Sequence, residues 1–90
     1  MIDIPLLHQS HPITISHNMK TNAFIMSPLL TQVQAGSKLI FVFDESTTDH
    51  ALTVGNHQFS ATTVQMHIDP SKEVVQFHHN NKVVFSLDIV

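Results

Sequence analysis

The sequence predicts one small all-β domain, a Greek-key β-sandwich or barrel of roughly seven to eight short strands. Three observations predict it. Apolar residues recur with a period of two over most of the chain. Turn formers, Gly55-Asn56, Asp69-Pro70 and Asn80-Asn81, separate the alternating runs. Outside one segment, no helical period continues past two turns without a breaker. Ninety residues suit one modest core and one domain, 1–90, with residues 1–11 as a candidate N-terminal arm.

The elements follow in order. After Pro12, Ile13 and Ile15 alternate with Thr14 and Ser16 as a short first strand. Residues 38–44 place Leu39, Phe41 and Phe43 on one face and Ile40 and Val42 on the other. Both faces are apolar, which predicts a central strand covered on both sides. Residues 51–54 and 57–60 flank Gly55-Asn56, a two-residue hairpin signal. Residues 62–69 alternate most cleanly, Val64, Met66 and Ile68 against Thr63, Gln65 and His67. Asp69-Pro70-Ser71-Lys72 is a turn whose proline presets φ. Residues 74–78, a turn at Asn80-Asn81 and residues 83–90 complete a meander.

Residues 27–36 read two ways. Ser27-Pro28 is suited to begin a helix that Gly36 stops. The β-branched and aromatic surroundings favour instead a hairpin of residues 29–34 with 38–44 that turns at Ala35-Gly36-Ser37. In the last hairpin, a three-residue loop His79-Asn80-Asn81 pairs Phe77 with Val83 and Val75 with Phe85, apolar against apolar. One residue of slip inverts every side chain. This register leaves His67, Gln76, His78, Ser86 and Asp88 on the wetter face.

Charge narrows the partners. Charged residues are 12% of the chain, with four lysines, no arginine and a net charge of −3, against a usual charged share of about 25%. Phosphate and base recognition lean on clustered Lys and Arg, and single-strand binding on Tyr and Trp platforms, which this chain lacks. Nucleic acid is therefore not an expected partner. The absence of cysteine removes disulfides, thiolate chemistry and Cys-containing metal sites. Residues 1–5 lack the basic region and apolar run of a signal peptide, and no apolar run is long enough to span a bilayer. The expectation is a cytoplasmic chain that does not enter a membrane.

Histidine is the unusual feature, at eight of 90 residues. Neutral imidazole is the commonest metal ligand and titrates near physiological pH. A zinc site needs three or four converging ligands. Only His67 and His78, placed diagonally on neighbouring strands, have the expected geometry, while His78 and His79 alternate to opposite faces. Elsewhere the histidines read as surface residues standing in for Lys and Arg.

Residues 33–41, Val-Gln-Ala-Gly-Ser-Lys-Leu-Ile-Phe, followed by residues 49–54, Asp-His-Ala-Leu-Thr-Val, resemble the middle of cupredoxin-like domains. The resemblance covers about a third of the chain. It implies a Greek-key sandwich and makes His50 the one position that would carry over as a ligand. The family's C-terminal ligand loop needs a cysteine, and residues 78–82 here, His-His-Asn-Asn-Lys, contain none. That absence excludes a blue-copper site.

Catalytic patterns are absent. Gly36 and Gly55 cannot make a phosphate loop, and no nucleophile elbow or Ser-x-x-Lys occurs. Asp49-His50 beside Ser46 and Thr47 reads as a solvated turn, and Asp44-Glu45 as a strand end. The functional expectation is a non-catalytic interaction or assembly module that uses no cofactor: a small inhibitor, an adaptor or a structural subunit. The alternative is a metal-binding protein using His67 and His78. Low charge and undefended strands predict self-association as a dimer or trimer, along with another protein partner. The expected interface is the C-terminal strand, through Val84, Ser86, Asp88 and Val90. Ile2 and Ile4 of the arm are a second candidate, because they have no assigned core partner.

Overall fold

A computed structural model describes residues 12–90. The candidate arm, with Ile2 and Ile4, lies outside the described residues. Among the described residues nine strands occur, β1 (Ile13–Asn18), β2 (Ala23–Ser27), β3 (Gln32–Val33), β4 (Lys38–Phe43), β5 (Leu52–Val54), β6 (His57–Phe59), β7 (Thr63–His67), β8 (Val74–His79) and β9 (Lys82–Ile89). They form a four-stranded sheet, β2-β1-β4-β7, and a five-stranded sheet, β3-β9-β8-β5-β6. Each sequence-adjacent hairpin stays in one sheet, and the next connection crosses to the other. The result is a sandwich rather than a barrel. Among the described residues, no helix is long and apolar enough to cross a membrane.

The period-two pattern explains which faces meet. Ile13 and Ile15 of β1, Phe41 and Phe43 of β4, Leu52 of β5, Phe77 of β8 and Leu87 of β9 are buried between the sheets. Phe77 meets Phe41 edge-on at 5.2 Å and Phe85 edge-on at 5.9 Å. Burying a large apolar side chain of this kind contributes about 1.5–3 kcal/mol. As expected, β4 is central, between β1 and β7. Only its inner face is covered by the other sheet. On its outer face, Ile40 and Val42 are half-buried beside Gln65, Thr14 and Thr63.

The structure corrects the expected segmentation at three places. Residues 27–36 form no helix, and the favoured hairpin of residues 29–34 with 38–44 does not form either, because β3 and β4 lie in different sheets. The chain leaves β2 through a cis Ser27–Pro28 bond and makes the two-residue β3, which pairs in parallel with the end of β9. β2 itself is an additional strand, paired antiparallel to β1 through a turn whose Asn18 Oδ1 accepts the Lys20 N–H at 2.9 Å. Phe24 and Met26 share the inward face and Ile25 points outward, so only two inward residues carry the pattern.

The third correction concerns the last hairpin. Asn80 and Asn81 both take positive φ, 53° and 65°, the backbone of a two-residue type I′ loop. His79 therefore pairs with Lys82 and His78 with Val83. A bulge between Phe77 and His78 then shifts the ladder, pairing Phe77 with Phe85 and Val75 with Leu87. Apolar still meets apolar, but through a bulge that shifts the ladder one residue the opposite way from the expected longer loop, which leaves the same residues sharing a face of the sheet.

Candidate functional site

Among the described residues, three of the histidines, His17, His50 and His79, form one cluster. His17 is the inward residue at the end of β1, His50 precedes β5, and His79 ends β8 after the bulge. The His17 and His50 rings stack with centroids 3.8 Å apart at 19°. Phe24 of β2 meets His17 edge-on at 4.9 Å and His79 edge-on at 5.0 Å. His50 and His79 lie 5.9 Å apart. His17 is only 6% exposed. Its Nε2–H donates to Asn22 Oδ1 at 3.1 Å, and its buried Nδ1 has no partner among the described residues.

A single turn of 3-10 helix, Glu45–Thr47, supports this cluster. Asp44 caps it by accepting the Ser46 N–H at 2.9 Å and the Ser46 hydroxyl. Ser46 Oγ in turn accepts the His17 backbone N–H at 2.8 Å. The Ser46 hydroxyl is thus committed to a carboxylate and a main-chain amide rather than to an imidazole nitrogen. That is a cap, not a nucleophile–base pair. Parallel stacked imidazoles also do not aim their lone pairs at one point, as a shared metal about 2.0–2.1 Å from each nitrogen requires. No group of three or more His, Cys, Asp or Glu is placed to hold a metal among the described residues. His50, the position singled out by the cupredoxin resemblance, serves here as the stacking partner of His17.

His67 and His78 are not brought together. His67 is exposed on β7 opposite Lys38. His78 is on β8 of the other sheet, opposite Val83 and beside Thr53. The expected diagonal contact required β7 and β8 to be neighbours. The Asp69–Lys72 turn instead carries the chain from one sheet to the other. Two hydrogen bonds from Ser71, by hydroxyl and by backbone N–H, fix Asp69 in that turn and hold its carboxyl below the usual range.

The expected interface strand is only half open. The Asp88 N–H donates to Thr31 O at 3.0 Å, the Val90 N–H to Val33 O at 2.9 Å, and the Ala35 N–H to Val90 O at 2.9 Å. β3 and its flanks therefore cover the edge at Asp88 and Val90. Ser86 turns its backbone the same way by two-residue alternation, and β3 stops short of it; Val84 is the residue skipped at the bulge. β9 is thus an interior strand over its second half, a correction to its expected role as an edge. The side chains of Ser86, Asp88 and Val90 are exposed, and Val84 is half-buried.

Apart from His67, the sequence reading gave no site residue to the flank where β6 and β7 lie. There β6 of one sheet and β7 of the other are both edge strands, bordering an open cleft of about 580 Å³. Val54, Phe59, Val64, Met66 and Val75 supply its apolar lining, and His57 and Lys72 stand at its rim. The clean alternation of residues 62–69 was the available signal. No family model matches this chain, and neither a curated protein nor a solved structure shows a significant match to it.

Proposed function

We propose that the chain is a non-catalytic protein-interaction and assembly module that associates with itself, as a small inhibitor, an adaptor or a structural subunit. One observation carries this reading. An apolar cleft opens between two edge strands, β6 and β7, that no described strand covers. Unpaired edges are templates for another strand, and natural monomers blunt them with lysine, proline or inward charge. Between Ala61 and Ile68 this chain has none of these. A charged fraction of 12% leaves little electrostatic protection elsewhere. The partner is protein rather than nucleic acid, since four lysines and no arginine make no basic surface. The proposed compartment is the cytoplasm.

Light scattering tests the reading. The expected mass is at least twice the 10.1 kDa of the chain. A constant monomer mass at all concentrations would refute self-association.

A further inference from the structure

We infer that β7 pairs antiparallel with β7 of a second copy, about a two-fold axis through Gln65. The inference rests on the interaction reading above and names its partner and register.

The hydrogen bonds at the two ends of β7 determine which groups are free. Phe43 N–H donates to Thr62 O at 2.7 Å, and Ile68 N–H donates to Ser37 O at 2.8 Å. Between them the β4–β7 ladder pairs Phe41 with Val64 and Leu39 with Met66. Antiparallel ladders alternate, so Val64 and Met66 bond toward β4 while Thr63, Gln65 and His67 turn their N–H and C=O groups outward. No described strand lies on that side. The free residues are symmetric about Gln65. A two-fold axis there sets Thr63 against His67 of the second copy and Gln65 against its own counterpart, each pair exchanging both of its N–H···O=C bonds.

The side chains agree with this register. Val64 and Met66 alternate to the cleft side and are half-buried. Across the axis, Val64 of one copy meets Met66 of the other as a close, non-hydrogen-bonded pair. A slip of one residue would set them against outward groups and lose both the bonds and the apolar contact. Charge points to a second copy as the occupant. Residues 61–68 carry no Asp, Glu, Lys or Arg. Asp69 and Lys72 follow the strand, and antiparallel pairing puts each near the uncharged Ala61 end of the other copy. Two chains of net charge −3 thus meet along a neutral seam, with no like charges opposed. The other open edges are less suited. β6 has three residues, β2 runs into Pro28, and the open half of β9 begins at Lys82.

The seam is one short strand, about 17 Å long at 3.4 Å per residue. It falls below the roughly 800 Å² per partner of a standard interface, so the dimer is concentration-dependent.

Sedimentation of the parent from about 10 μM to about 1 mM, beside Gln65→Lys and Gln65→Glu, tests the inference. The Gln65 side chain is exposed, so both variants should keep the parent's circular dichroism and melting curve. Each sets like charges together at the axis and should weaken association by up to about fivefold. An equimolar mixture pairs opposite charges and should recover the parent's association. In the parent, amide exchange at Thr63, Gln65 and His67 should slow as concentration rises. Association unchanged in both variants overturns the β7 axis and leaves the assembly reading standing. Protected amides at those positions in a dilute monomer also overturn it. A parent that stays monomeric at about 1 mM, a concentration where even weak complexes form, overturns both readings.

Discussion

Thr47→Val isolates a single hydroxyl that ties the cleft edge to the histidine end. Thr47 is fully buried. Its Oγ1–H donates to Asp44 O at 2.7 Å and its Oγ1 accepts the Ala61 N–H at 2.8 Å. It thereby joins the connection that follows β4 to the connection that precedes β7. Asp44 O also accepts the Thr47 backbone N–H at 3.0 Å, so that carbonyl keeps a partner in the variant, while Ala61 N–H loses this one. Two hydrogen bonds at about 1 kcal/mol each set the loss at about 2 kcal/mol. The added methyl returns at most about 0.8 kcal/mol. The net destabilisation is about 1–2 kcal/mol, which lowers Tm by about 5–15 °C in a domain of this size. Ala61 sits at φ 48°, a left-handed conformation costly for a residue with a Cβ. Ala61→Gly should therefore recover part of the loss in the Thr47→Val background. Thr48→Val is the control, since its bond to Glu45 O is exposed and its loss should stay within about 0.5 kcal/mol. Urea titrations with unchanged m-values and thermal melts give these differences. A Thr47→Val melt within about 2 °C of the parent would refute the assignment.

Two further outcomes follow. Ser71 depresses the Asp69 carboxyl below its ordinary value of 3.8, so its contribution is present above the unfolded value and is lost as pH falls through the lower folded one. The stability gap between the parent and Asp69→Ala should accordingly shrink below about pH 4; a gap that is constant from pH 6 to pH 2.5 contradicts this. The second outcome concerns charge and association. Four lysines and eight protonated histidines against seven carboxylates give +5, compared with −3 when the histidines are neutral, and free histidine titrates near pH ~6.5. Self-association should peak near the isoelectric point of about 6.2 and weaken by pH 5 as the net charge grows; sedimentation profiles that coincide at pH 7.5 and pH 5 would count against this.

The fold class was legible because alternation is a local property. Phe41 and Phe43, or Val64 and Met66, declare their face through their immediate neighbours. Strand partners are not local. Residues 62–69 and 74–78 are separated by a strong turn, Asp69-Pro70, that reads equally well as a hairpin or as a crossing between sheets. The structure makes it a crossing, and the expected nearness of His67 and His78 disappears with that choice. β3 falls inside the strand expected over residues 29–34, but its partner was hidden for a different reason. Two residues carry no period, and what places them is a set of backbone bonds to Asp88 and Val90 that any side chains would permit.

The histidine end shows how one residue of register decides a site. His78 and His79 were correctly expected on opposite faces, but which face each takes depends on counting back from Asn80. The two-residue loop sets His79 opposite Lys82, and the bulge between Phe77 and His78 keeps Phe77 inward against Phe85. His79 consequently points between the sheets and reaches Phe24 and His50. Without the bulge, either Phe77 would lose its place among the buried phenylalanines or the Asn80-Asn81 loop would need a third residue. The core fixes Phe77, the two asparagines fix the loop, and the bulge is the one remaining way to satisfy both. The clustering of His17, His50 and His79 is therefore a consequence of core packing. It would survive substitution of any one ring, provided Phe77 and the two asparagines remain.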